Sequence, residues 1–261
     1  MHSLNSLVRE ERSPIAKAPP PRIWHPHEPD LERRKEGITV IDDLETLEST
    51  VEEILLRWHQ NSPESNFYIS LDGLPGAGKT SLMECLQNIC SRRGIQLHVN
   101  GIDKFLGSSR EDRLGITENA DIMAERYFSQ GAVMGVMEKI HAANGFGSRI
   151  HVPRMYHRAE GIIAPGNIDV PAGRKVVVLE GVHSSRVLSK LEKSHGAKIL
   201  NIHVSSDPSK SLKRAVDRDS RKGGNWSRSA AQFHQEGVYS HLLKSVHTEN
   251  PKIADILFEQ N

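Results

Sequence analysis

An apolar run, a glycine-rich octapeptide and an amphipathic stretch follow one another between residues 67 and 93, with only Asp72 between the first two. No other feature constrains the fold as strongly. The run 67–71, FYISL, is predicted to be a strand, and 80–93 carries Leu82, Leu86 and Ile89 at helical spacing before Gly94 closes it. Between them, Gly73-Leu74-Pro75-Gly76-Ala77-Gly78-Lys79-Thr80 fits G-x-x-x-x-G-K-[ST] at every fixed position. After a strand and before a helix, such glycines let backbone N–H groups curl around phosphate oxygens at the positive helix end. Lys79 adds a point charge at the β/γ bridge, the Thr80 hydroxyl is expected to complete a Mg²⁺ shell, and Ser81 follows in the first helical turn. A bland glycine-rich turn would not place Lys-Thr there, so nucleotide binding is expected.

Strands and helices alternate through the rest of the chain. Asp42 or Asp43 is expected to cap a helix reaching about residue 60, with Leu44, Leu47, Val51, Ile54, Leu55 and Trp58 on one face. A second strand is expected over 95–99, running out into Asn100-Gly101-Ile102-Asp103, then a helical region over 120–143 weakened by Gly131 and Gly135. KVVVL at 175–179 reads as a strand buried on both faces, followed by a helix over 187–194 and a strand over 198–204. A charged helix over 209–219, the loop RKGGNWSR, a helix over 229–246 and a last apolar segment at 253–258 complete the pattern. Segments 107–120 and 145–169 read as loops. This alternation implies an α/β fold with a mainly parallel sheet flanked by helices.

Composition removes several classes. With 34 Lys+Arg against 33 Asp+Glu the formal charge is +1, so no strongly basic nucleic-acid surface is signalled. No run approaches the roughly 18 apolar residues that a membrane helix needs, and the first residues lack a signal-peptide core. Cys85 and Cys90, on one predicted helix, point to different sides and cannot bridge. A reducing cytoplasm is the expected setting. Pro19, Pro20, Pro21, Pro26 and Pro29 make the first 36 residues an extended arm, with Ile23 and Trp24 as docking residues and His25 and His27 read as solvent-exposed.

Nucleotide binding alone does not define a function. The base-reading N-K-x-D of guanine-specific GTPases and the L-S-G-G-Q of transporter ATPases are both absent. Asp103 follows the second strand, at the edge where a doubly wound sheet receives its ligand. There it serves either as the base that takes a proton from an attacking hydroxyl or as a loop cap. Glu180 ends the apolar strand 175–179 and suits a carboxylate that holds Mg²⁺ or orients the ligand. Arg214, Arg218 and Arg221 share one helical face ahead of a Gly-Gly hinge, the pattern either of a closing lid or of a solvated face.

Together these pieces resemble the phosphoribulokinase/uridine kinase family of P-loop kinases, which includes bacterial-type pantothenate kinase. ISLDGLPGAGKTS is similar to that family's first strand and phosphate loop, GIDKFLG to its D-x-F segment, VVVLEGVHSSR to its strand ending in Glu-Gly, and LKRAVDRDSRKG to its arginine lid. The resemblance implies Asp103 as catalytic base, an active-site or metal role for Glu180 beside Thr80, and lid roles for Arg214 and Arg218, with Arg221 near. Ser211 stands where the family often has Arg. His151-Val152-Pro153-Arg154-Met155-Tyr156-His157 resembles the P-x-Y element, which puts Tyr156, Arg154 and His157 by the acceptor. The Asp-His-Pro acceptor segment of uridine kinases is missing from 108–121.

The expected protein is therefore a P-loop NTPase fold in three parts: a proline-rich arm over 1–36, a lead-in helix over 37–65, and a kinase domain over 66–261 with its lid near 214–228. It would use ATP and Mg²⁺ to phosphorylate a hydroxyl of a small metabolite (a nucleoside, sugar or vitamin-like acceptor), without nucleic acid or membrane, and with a homodimer left open. The alternative is a regulatory or assembly ATPase that uses the arm to bind a partner.

Overall fold

The computed structural model describes residues 37–62, 64–107, 109, 129–221, 246–247 and 250–260. Strand β1, Thr39–Ile41, leads into helix α1, Leu44–Asn61, whose N-cap Asp43 accepts the Thr46 N–H at 2.7 Å. Leu47, Val51, Ile54, Leu55 and Trp58 form its buried stripe, as their spacing requires. Strand β2, Phe67–Gly73, helix α2, Lys79–Arg92, and strand β3, Gln96–Gly101, follow, and Ile102–Phe105 then makes one 3-10 turn. Helix α3, Gln130–Ala143, precedes a pair of strands, β4, Ser148–His157, and β5, Ile162–Val170. The remaining elements are β6, Lys175–Glu180; α4, Ser184–His195; β7, Lys198–Ser206; α5, Pro208–Ser220; a 3-10 turn, Asn250–Ile253; and β8, Ile256–Gln260.

Six strands form one parallel sheet in the order β1-β8-β7-β2-β6-β3. Strand β2 lies inside it, with every residue buried, and β6 beside it carries the continuous apolar run that such a position demands. Register brings three carboxyl ends level: Leu71 pairs with Glu180, and Glu180 pairs with Gly101. The crevice beyond these ends is where an open α/β sheet takes its ligand. No helix among the described residues is long and apolar enough to cross a membrane. Cys85 and Cys90 are buried and unbridged.

Several expectations change. Residues 145–169 are not a loop: β4 and β5 pair as an antiparallel hairpin with Ile150, Val152, Tyr156, Ile168 and Val170 buried. A register shift between Val152 and Met155 accommodates Pro153, since a bulge frees the backbone from the ladder that proline breaks. Of the helix expected over 120–143, the described part is α3 from Gln130, where Ser129 accepts the Ala132 N–H, and residues 120–128 lie outside the described residues. Helix α4 starts three residues earlier than expected, at Ser184, because a turn with φ of +134° at Gly181 and +67° at His183 launches it directly from β6. The segment expected as a lead-in helix also supplies β1, which pairs with β8. The arm over 1–36, the loop at 222–228 and the helix expected over 229–245 lie outside the described residues.

Candidate active site

The phosphate loop leaves β2 at Gly73 and enters α2 at Lys79, and two of its positions call for glycine. A Cβ on Gly76 (φ +81°) would fall 2.2 Å from the Ser211 carbonyl oxygen of α5, and one on Gly78 (φ +101°) 2.1 Å from Gln260 Oε1. Backbone of α5 leaves no room for a side chain at Gly76, whereas at Gly78 the obstacle is the movable end of Gln260 and it is the positive φ that favours glycine. Pro75 and Ala77 lie between, with Leu74 and Ala77 packed into the core. Thr80 and Ser81 are exposed in the first turn of α2.

Lys79 is buried, and its Nζ donates to the carbonyls of Gly73 and Leu74 at 3.0 Å each. Burial pushes its pKa below the ordinary lysine value, against the pull of Glu180, Asp72 and Asp103. Among the described residues no carboxylate stands in ion-pair contact with this buried cation, and a phosphate chain in the loop would be such a partner. Glu180 is half-buried at the end of β6; desolvation raises its pKa, opposed by Lys79. A Thr80 hydroxyl and one carboxylate suit Mg²⁺, which takes few protein ligands and fills its octahedron with water and phosphate oxygens.

Asp103 sits exposed on the 3-10 turn after β3, and its charge reaches both Lys79 and Glu180. Arg214 Nη1 donates to Gln260 Oε1 at 3.0 Å and to the Gly76 carbonyl at 3.4 Å, so α5 is fastened to the loop. Arg218 adds positive charge felt by Lys79 and Glu180. Arg221 is exposed one residue beyond α5. Of the hairpin residues, Tyr156 is buried among apolar neighbours, Arg154 donates to the Gly107 carbonyl at 3.4 Å, and His157 is half-buried.

Two residues escaped the sequence reading. Arg158, in the turn between β4 and β5, pairs with Asp103 across 3.7 Å. Only knowledge of the hairpin would have placed it there. Asp72 is fully buried beneath the loop. Its Oδ1 accepts the N–H groups of Gly73 (2.7 Å) and His183 (3.0 Å); its Oδ2 accepts Ser185 N–H (3.3 Å), Asn250 Nδ2 (2.9 Å) and the Ser185 hydroxyl. A lone acid inside the apolar run FYISLDG was its signal, because a carboxylate buried there must be hydrogen-bonded. His203, its register partner on β7, is buried and its pKa falls to about 4, chiefly by desolvation.

A strand, phosphate loop and helix at the carboxyl edge of a parallel sheet, with Lys79 at the helix start, Glu180 ending the adjacent β6 and Asp103 on the turn that follows β3, define a P-loop phosphotransferase fold. The chain belongs to the phosphoribulokinase/uridine kinase family, whose model matches residues 68–233, well over half of its length. It is accordingly a kinase with an alcohol group as acceptor. Solved structures share the fold at low identity. A Silicibacter sp. TM1040 protein, provisionally described as a fructose transport system kinase, aligns at 20% identity and TM-score 0.57 over 81% of this chain and 98% of its own. A possible uridine kinase from Bacillus stearothermophilus aligns at 15% and 0.52, covering 79% and 96%. The D-glycerate 3-kinase of Cryptococcus neoformans aligns at 12% and 0.52, covering 76% and 87%. A comparison with curated protein sequences returns no match.

Proposed function

We propose that the protein transfers the γ-phosphate of ATP directly to a hydroxyl of a small metabolite. The observation that carries this reading is that Lys79 and Glu180 lie within electrostatic reach of each other and of Asp103 and Arg218 at one sheet edge. ATP with Mg²⁺ would supply the phosphoryl group and part of the charge that balances it. The loop N–H groups and Lys79 hold the phosphate chain, and Thr80 and Glu180 hold the metal. Asp103 takes the acceptor's proton, and Arg214 and Arg218, on a helix already fastened to the loop, stabilise charge on the group in transit. The fold neighbours include kinases described for fructose transport, uridine and D-glycerate, a range that supports a hydroxylated metabolite as acceptor. A reducing compartment suits the two buried thiols.

The test is ADP release by the full chain with ATP and Mg²⁺ across nucleosides, sugars, sugar phosphates, hydroxy acids and vitamin alcohols. Acceptor-dependent release that Lys79→Ala abolishes in a folded protein is expected. ATP turnover indifferent to every alcohol would instead support the regulatory ATPase.

A further inference from the structure

Gln260 ends β8, and its half-buried side chain is placed by the elements around it. Parallel register sets it beside Ser206 at the end of β7. The Ser206 hydroxyl shares a hydrogen bond with Ser211 of α5, whose backbone carbonyl faces Gly76 of the phosphate loop. The carboxamide of Gln260 lies against Gly78, the residue before Lys79, and its Oε1 accepts Arg214 Nη1 at 3.0 Å. The same Nη1 donates to the Gly76 carbonyl at 3.4 Å. Sheet, helix and loop thus meet at one guanidinium.

The two acceptors that hold Arg214 here, a peptide carbonyl and a carboxamide, are both neutral. A guanidinium only donates, so it is the amide oxygen of Gln260 that faces it. A carboxylate in the same place would bind Arg214 more tightly and offset much of its charge. The chain has an acid one residue away, but Glu259 is exposed on the opposite face of β8, as strand alternation directs. A long exposed side chain left untethered samples many rotamers, and ordering it against a ligand then costs affinity. Tethering by a neutral group removes that cost and keeps the charge. Lys79 is held in the same manner, on the carbonyls of Gly73 and Leu74.

We infer that Gln260 is a positioning residue for the nucleotide's phosphates: it holds Arg214 against the phosphate loop, with its charge intact, before the nucleotide arrives. Gln260 acts through Arg214 rather than on the substrate. The inference deepens the kinase reading above and rests on it for the part Arg214 plays in phosphoryl transfer. A donor set in place beforehand favours binding of the phosphate chain and stabilises charge in transit without reorganising at that moment.

The experiment is a double-mutant cycle on the full chain with two readouts: the Kd of β,γ-imido ATP with Mg²⁺, and ADP release from ATP across the panel of alcohols. Gln260→Met keeps the side chain's length, removes the acceptor, and should weaken analogue binding by about 3- to 10-fold, the range for one ordinary hydrogen bond. Beside Arg214→Gln the same change should add nothing, because no guanidinium is left to hold. Gln260→Glu, nearly isosteric, should tighten the link to Arg214 yet weaken the analogue by about 10-fold, since the new carboxylate offsets the charge. Melting temperatures of both Gln260 variants should stay within about 2 °C of the parent. Three results overturn the inference and leave the kinase reading standing: binding that ignores Gln260→Met, a Gln260→Met effect undiminished beside Arg214→Gln, or a Gln260→Glu protein that binds like the parent. Unchanged binding with a shifted melting temperature is the mark of a merely structural tie, and overturns it too. The expected binding pattern without ADP release on any alcohol refutes the kinase reading and leaves Gln260 positioning Arg214 for bound nucleotide alone.

Discussion

Replacing Asp72 by Asn changes one oxygen into an NH₂ group at a site where all five partners donate. The orientation that keeps most bonds turns the amide nitrogen toward the N–H groups of Gly73 and His183. Two buried backbone donors are then left without an acceptor. Each costs about 1–3 kcal/mol, so Asp72→Asn should lose about 2–6 kcal/mol. For a chain of this size a loss on that scale lowers the melting temperature by roughly 5–20 °C. Thermal unfolding followed by circular dichroism, with Ser185→Ala alongside, is the assay. Ser185→Ala removes a donor rather than the acceptor, leaves the carboxylate with four partners, and should cost no more than about 1.5 kcal/mol. A melting point for Asp72→Asn within about 2 °C of the parent, or equal damage from both variants, would refute the hub.

Gly76→Ala should destabilise more than Gly78→Ala, because its Cβ meets a backbone carbonyl of α5 while that of Gly78 meets the movable end of Gln260. Melting temperatures in the reverse order would contradict the packing described. Asp103→Asn should lower acceptor phosphorylation by about 10²–10⁴-fold with ATP affinity unchanged, and near-normal turnover would remove Asp103 as the base. His203 has a folded pKa of about 4 against an ordinary 6.5, so as pH falls below 6.5 the unfolded chain takes up a proton that the folded one refuses. Stability should drop by on the order of 3 kcal/mol between pH 6.5 and 4 and then level off. Denaturant midpoints for His203→Gln should show a flatter slope across that window; an unaltered slope would rule out His203 as the cause.

What could be read from the residues was local. The loop 73–80 and its flanking strand and helix announce themselves within about twenty-five positions, and KVVVL needs no partner to show that both its faces are buried. Glu180 was legible for the same reason: an acid that ends a buried run lies at the ligand edge. The hairpin β4/β5 was hidden because Pro153 falls at its bulge, where period-two alternation breaks. At three residues, β1 is too short to display a period at all. Arg158 gave no signal at all, and Asp72 only that of a lone acid in an apolar run, for a different reason. Their importance lies in partners brought together by topology: Arg158 reaches Asp103 only because the hairpin folds onto the 3-10 turn, and Asp72 gathers His183, Ser185 and Asn250 from two distant segments.

Asn250 stands 178 residues after the aspartate it serves, and Gln260, which shields Gly78, comes later still. At a synthesis rate of 5–20 residues per second, roughly 10–35 s pass between translation of Asp72 and of Asn250. Throughout that interval the phosphate loop exists as a sequence without its supports, its carboxylate short of a donor and its outer face open. The two side chains that complete the loop's surroundings are therefore among the last to be synthesised. A ribosome-stalled nascent chain ending between α5 and β8 should be a poor ATP binder even with its octapeptide fully exposed.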